Sequence, residues 1–436
     1  RNYSSGSQHV TPEAVTENSS NLDYDGSNKG HGSFQSGSME ASYEIDTLRL
    51  VTMSFGLWGG GNKSNGSTDY IATFPENINA APIYSYSAFN RSKSSWYSID
   101  GGIDYQRLFK VKDRMLTFSY KINTRPQTSD SYTEYEIDKG YNPDWADYLK
   151  RLRNLHNDGE QNTTEHTFQA DYTTPIGKLH TLEAGAKYIL RNNESQNDLY
   201  DSRAMSGQWA HNDLRSNHYK NRNDIVGGYL SYTYRGKTVS VMPGLRYEYT
   251  YQDIKYLAGP IGAEGNYSSH YANVVPSVRV NLKLAKGQSL RLEYGKRLAR
   301  PSIYYLNPYF NNQNPQYIVQ GNSSLDAENS YNLGATYGWF TRKTNLSLSL
   351  SYRHLSNGIE SYSRLIGEGG EYFDNGKHYA ASGAVYTTYL NVGKVERTAV
   401  NVYYKWNITS KLWLTLSMGA AYIDLRAPSR QLQNHG

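Results

Sequence analysis

Apolar and polar residues alternate along this chain over stretches far longer than an ordinary strand. The clearest stretch runs from Thr238 to Tyr251. Val239, Val241, Pro243, Leu245, Tyr247, Tyr249 and Tyr251 share one parity, while Ser240, Met242, Gly244, Arg246, Glu248 and Thr250 share the other. Successive side chains of a strand point to opposite faces, so this segment has one apolar and one polar face. Soluble strands average about five or six residues, whereas a tilted strand needs roughly 9–11 to cross a bilayer. Similar runs lie near 42–57, 95–107, 113–124, 164–174, 179–191, 224–235, 272–285, 288–298, 328–340, 343–356, 387–408 and 411–424. In one of them Leu346, Leu348, Leu350 and Tyr352 oppose Asn345, Ser347, Ser349 and Ser351. The pattern predicts an all-β, antiparallel transmembrane barrel wall of about thirteen strands.

The connections support this reading. Short ones, such as Pro175-Ile176-Gly177-Lys178, Arg235-Gly236-Lys237, Ala285-Lys286-Gly287, Thr341-Arg342-Lys343 and Thr409-Ser410-Lys411, carry the Gly and polar residues of tight turns. Long ones near 58–94, 125–163, 192–223, 252–271, 299–327 and 357–386 are dense in Asn, Ser, Tyr and Gly. Short and long alternate, which puts them at opposite ends of the strands, as in outer-membrane barrels. Residues 1–41 are Ser/Gly/Asn-rich and predict an irregular segment, 42–425 the barrel, and 426–436 the start of a further loop. An odd strand count places the two ends on opposite sides of the membrane. That predicts an internal piece of a larger barrel.

Composition narrows the class. Hydrophobic residues make up 37% of 436, yet 42 are Tyr, and disordered chains are poor in aromatics. A wet lumen face and aromatic girdles account for both figures. No apolar run approaches the length of a transmembrane helix. Cysteine is absent, which excludes a disulfide scaffold and thiolate metal sites. A net charge of +5 with both signs interspersed is too mild to argue for nucleic acid.

Several phrases resemble the barrel of TonB-dependent receptors of the Bacteroidota outer-membrane type. Arg291-Leu-Glu-Tyr-Gly-Lys-Arg-Leu-Ala-Arg-Pro-Ser302, followed by Tyr305-Leu306-Asn307-Pro308-Tyr309, is similar to one family strand and its loop. Gly321-Asn322-Ser323-Ser324-Leu325-Asp326-Ala327-Glu328, Asp171-Tyr172-Thr173-Thr174-Pro175-Ile176-Gly177 and Asn391-Val392-Gly393-Lys394 match further family phrases in order. The resemblance spans roughly 40–425. It implies a barrel of about 22 strands around a plug domain, coupled to the TonB system in the outer membrane. No plug is recognisable in these residues.

Candidate chemistry is sparse. Asp23-Tyr24-Asp25-Gly26-Ser27-Asn28-Lys29-Gly30 has alternate oxygen ligands but lacks the Gly and Glu of a calcium loop, so it reads as a polar turn. Asn142-Pro143-Asp144 starts a helical spacing through Trp145, Tyr148, Leu149, Leu152 and Leu155. His211 and His218 share a loop with Asp213, where solvated histidines outweigh a metal site. No hydrolase elbow, P-loop or dinucleotide fingerprint is present, so nothing supports an enzyme or a cofactor. Arg246, Glu248, Arg279, Lys283, Arg291, Glu293 and Arg297 fall on polar parity. In lipid each Arg or Lys would cost roughly 2–4 kcal/mol, so these charges are expected to face the lumen as an ion lattice that touches plug or solute. Trp96, Trp209, Tyr304, Tyr305, Tyr309 and Tyr317 could stack on a ligand or pack the loops. The reading favoured is a receptor importing a scarce solute of siderophore, cobalamin, glycan or peptide class. The alternatives are a non-transporting barrel in an envelope complex, with a surface lipoprotein as a possible partner, a passive porin, and a soluble adhesin.

Overall fold

Backbone pairing extends the alternating segments well past the point where their apolar face ends. The computed structural model describes residues 2–10, 21–73, 82–138, 149, 152–203, 208–259, 266–306, 308, 310–314, 317–376, 378–427 and 432–435. The first strands are β1 (Asn2–Val10), β2 (Asn21–Asp46), β3 (Arg49–Thr73), β4 (Tyr84–Leu108), β5 (Met115–Ile137), β6 (Arg153–Ile176) and β7 (His180–Arg203). Next come β8 (Ala210–His211), β9 (Asn217–Arg235), β10 (Val239–Ala258), β11 (Tyr267–Lys283) and β12 (Gln288–Ala299). A short helix α1 (Ile303–Leu306) precedes β13 (Asn311–Asn314), β14 (Tyr317–Val319), β15 (Glu328–Phe340) and β16 (Thr344–Leu365). The last are β17 (Glu371–Phe373), β18 (His378–Ala380), β19 (Val385–Asn407), β20 (Trp413–Ala427) and β21 (Leu432–His435).

One 19-stranded sheet holds all of these strands except the β17–β18 hairpin. Its long strands pair antiparallel with their neighbours in chain order, from β1 and β2 at one edge to β20 and β21 at the other. Among the described residues the two edges do not pair with each other, and the lower parts of β2 and β20 expose both faces.

Register keeps the parities separate across the whole sheet. One outward rung joins Ala41, Met53, Ile103, Tyr120 and Phe168. It continues through Tyr188, Val226, Tyr249 and Ala272. Another joins Leu290, Tyr337, Leu348, Val402 and Met418. Leu245 is 54% exposed and Val278 38%, so these side chains cover an outer surface and do not fill a core. An apolar belt exposed on this scale is stable only against hydrocarbon. The next parity inward is polar. One such rung runs Asp104, Ser119, Gln169, Lys187, Gly227, Glu248 and Asn273.

Four expectations are corrected. The stretch 1–41, expected to be irregular, is strand over Asn2–Val10 and Asn21–Asp46, and 42–57 is a hairpin, not one strand. Asp46 makes the turn: its carboxylate accepts the Leu48 N–H at 2.9 Å and binds the Arg49 guanidinium at 2.6 Å. The Asp23–Gly30 phrase is likewise strand. Most of the expected long loops are strand as well. At 25 residues and about 3.3 Å each, β3 is roughly 80 Å long, against about 30 Å of hydrocarbon. Beyond the belt the ladder bonds of both neighbours suffice, and Ser, Asn and Thr on both faces leave no period to read.

The expected turns are in place, with Gly177 and Gly287 at φ +70° and +76° where a side chain would be strained. The helix expected from Asn142 lies mostly outside the described residues. Leu149 is helical, but Leu155 belongs to β6. Apolar clusters tie the long loops together at the far end, as where Phe310, Ile318, Ile366 and Tyr386 are buried.

Candidate functional site

Lumen parity on β10 to β12 gathers the charges singled out from the sequence. Glu248, only 8% exposed, receives Arg246 at 2.6 Å from its own strand. It also receives Arg300 at 2.6 Å, and the same guanidinium donates to Thr250 Oγ1 at 3.1 Å. On the neighbouring pair, Arg279 binds Glu293 at 2.9 Å, while Arg291 donates to Asn281 at 3.1 Å and lies 3.9 Å from Glu293. Five of the seven expected charges thus form two small networks. Lys283 and Arg297 share the parity and are exposed, but neither has an ion-pair partner among the described residues.

Arg300 was not foreseen as a site residue. Pro301 ends β12 because it cannot extend the ladder. The chain then folds inward, and Arg300 spans β11 to reach β10. Pro301, Ser302 and Leu306 follow it over the lumen face of β5 to β11, closing a polar cavity of about 420 Å³. The Arg-Pro phrase was visible in the sequence; its partner, some fifty residues earlier, was not.

Two of the other phrases with a family likeness, 321–328 and 391–394, meet on the loops beside this site, while 171–177 lies at the opposite end of the sheet, in the β6–β7 hairpin. Asn322 donates to the Tyr389 carbonyl at 3.0 Å and its own carboxamide oxygen accepts the Ser324 N–H at 3.0 Å. Asn391 accepts the Asp326 N–H at 2.8 Å and donates to the Asn357 and Asp326 carbonyls at 2.8 and 3.0 Å. Glu328 accepts the Ile359 N–H at 2.7 Å. These side chains replace ladder bonds where strands stop, which explains why Asn and Glu stand there.

Aromatic candidates divide. Tyr304 and Tyr305 pack on Tyr389, with the Tyr389 hydroxyl donating to Tyr304 at 3.1 Å. Trp96 packs edge-on against Trp58 at 5.4 Å, and Trp209 lies edge-on over Tyr132 and His156. Tyr317 is 59% exposed, and Tyr309 lies outside the described residues. The two loop histidines separate. His211 is held by Asp213 at 2.7 Å and Asp198 at 3.2 Å, and His218 by Glu194 at 2.8 Å. Burial pulls the His211 pKa down, but its two carboxylates outweigh that and leave it raised.

A lipid-facing belt and a charged lumen on one antiparallel sheet restrict the fold to outer-membrane barrels. The family model for the outer membrane protein β-barrel family matches residues 107–435. The chain belongs to this family. Its place is the outer membrane, with the belt in lipid. Among solved structures it is similar to the copper transporter OprC, with a TM-score of 0.52 at 11% identity over 99% of this chain and 61% of that one. A Pseudomonas aeruginosa ferric enterobactin receptor, PfeA, gives 0.51 at 13% identity over 98% and 65%. The ferric citrate transporter FecA gives 0.50 at 10% over 99% and 61%. These likenesses establish the fold, the outer-membrane barrel that the resemblance implied. The chain spans less than two thirds of the length of these structures. No curated protein matches it at the level of sequence.

Proposed function

We propose that this family barrel is the wall of a TonB-coupled receptor that takes up a scarce solute. The observation that carries the reading is the inward fold after β12, where Arg300 pins a loop to Glu248 over a polar lumen cavity. A loop tied over the lumen face encloses a site of the kind a receptor needs to hold solute before moving it. The fold likeness to receptors and transporters supports the same reading. Lys283 and Arg297, exposed in the lumen, are proposed to bind carboxylates of a plug domain. The Arg279–Glu293–Arg291 network would orient that contact. Uptake of a labelled solute by cells carrying the full receptor tests the proposal. Accumulation should require TonB and an energised inner membrane; accumulation that persists without either would make the barrel a passive pore.

A further inference from the structure

Two successive lumen rungs form the floor of the cavity beneath the Arg300 loop. One consists of Asn123, Glu165, Arg191, Asn223 and Gln252. The other, two residues further along each strand, begins Arg125, Thr163, Asn193 and Asn221. Carboxamides are three of the five residues in the first and two of the four in the second, and three of them are at most 9% exposed: Asn193, Asn221 and Asn223. They hold one another in place, with Thr163 donating to Asn193 Oδ1 at 2.8 Å and Asn223 to Asn221 Oδ1 at 3.3 Å. A carboxamide offers donors and an acceptor together, which suits hydroxyl groups, since each hydroxyl also does both.

Charge adds a second requirement. Three guanidinium groups line the cavity, those of Arg125, Arg191 and Arg300. Glu165 answers Arg191 at 2.6 Å and Glu248 answers Arg300 at 2.6 Å. One positive charge, on Arg125, is left without an ion-pair partner among the described residues. Arg300 Nε is itself buried with no hydrogen-bond partner, so the Arg300 side chain is packed as a fixed wall of this space. A volume of about 420 Å³ falls within the roughly 300–1,000 Å³ of small-molecule sites.

We infer that this compartment binds a hydroxyl-rich monocarboxylate of about disaccharide size, its carboxylate on Arg125 and its hydroxyls on the Asn floor. The inference rests on the receptor reading and narrows its solute. Arg300 serves as the roof of the compartment, held by Glu248.

The test uses the whole receptor, purified in detergent, and titration calorimetry with lactobionate and with lactitol. The two have closely similar polyhydroxylated skeletons, and only lactobionate carries a carboxylate. Lactobionate is expected to bind at least tenfold more tightly, and Arg125→Gln should bring the pair within about twofold without weakening lactitol. Heat-modifiable gel mobility confirms that the variant is folded, and Arg125→Lys should restore part of the preference. Equal affinity for the two, no binding of either, or a preference that survives Arg125→Gln would overturn the inference. Binding in detergent needs no energy coupling, so this failure is separable from failure of the transport reading.

Discussion

The belt and the outer half of the same strands are built on one hydrogen-bond ladder but specified by different chemistry. In the belt, apolar and aromatic residues such as Leu, Val and Tyr recur at every second position because hydrocarbon rejects charged groups on that face. In the outer half both faces meet water, so Ser, Asn, Asp and Lys occupy both, and order comes from backbone pairing and from specific side-chain ties. Composition can drift there; position in the ladder cannot.

The sharpest way to break this contrast is one charge placed in each half. Leu245→Arg, at the centre of the β10 belt, should cost about 2–4 kcal/mol of folding free energy into liposomes. Glu160→Arg, exposed on the outer half of β6, should cost no more than about 0.5 kcal/mol. Equal losses at both sites would remove the distinction.

A smaller effect is expected where an ion pair fixes a loop. Arg300→Ala leaves Glu248, whose side chain is only 10% exposed, without its loop partner. Arg246 still answers Glu248, so the loss should weaken docking of 299–306 by about 1.5 kcal/mol and make the segment more sensitive to limited proteolysis. Arg279→Ala, whose pair with Glu293 is about half exposed, should change stability by less than about 1 kcal/mol.

The smallest effect is one of pH. In the outer loops Arg364 grips Glu371 through two bonds of 2.5 and 2.6 Å, which holds the Glu371 carboxyl below its ordinary value of 4.5. A depressed pKa stabilises the folded loop above that value, and the contribution fades as pH falls through the lowered one. Protection factors for amide exchange across β17, taken against the intrinsic rate at each pH, should therefore fall in acid, and Glu371→Gln should flatten that dependence.

The same contrast explains what could be read from the sequence. Val239 to Tyr251 announced its faces because one face meets lipid, and Arg246 and Glu248 were placed in the lumen by parity alone. Strand β2 was missed because Gly, Ser and Asn on both faces carry no period. The Asp46 turn was missed because Asp-Thr-Leu-Arg interrupts neither parity nor composition. Arg300 escaped notice as a site residue because its carboxylate lies two strands away, at a distance set by curvature of the sheet. Local pattern determines facing; long-range contacts after a strand ends do not show in it.

Because the sequence contains no cysteine, single spin labels can be walked along β10 without removing native thiols. Labels placed by Leu245→Cys, Arg246→Cys, Tyr247→Cys, Glu248→Cys and Tyr249→Cys would be read for collision with oxygen and with a water-soluble nickel chelate in reconstituted bilayers. Oxygen should dominate at positions 245, 247 and 249, and the chelate at 246 and 248. Accessibility that fails to alternate, or alternates in the opposite phase, would contradict the lipid-facing belt on which the site and its solute depend.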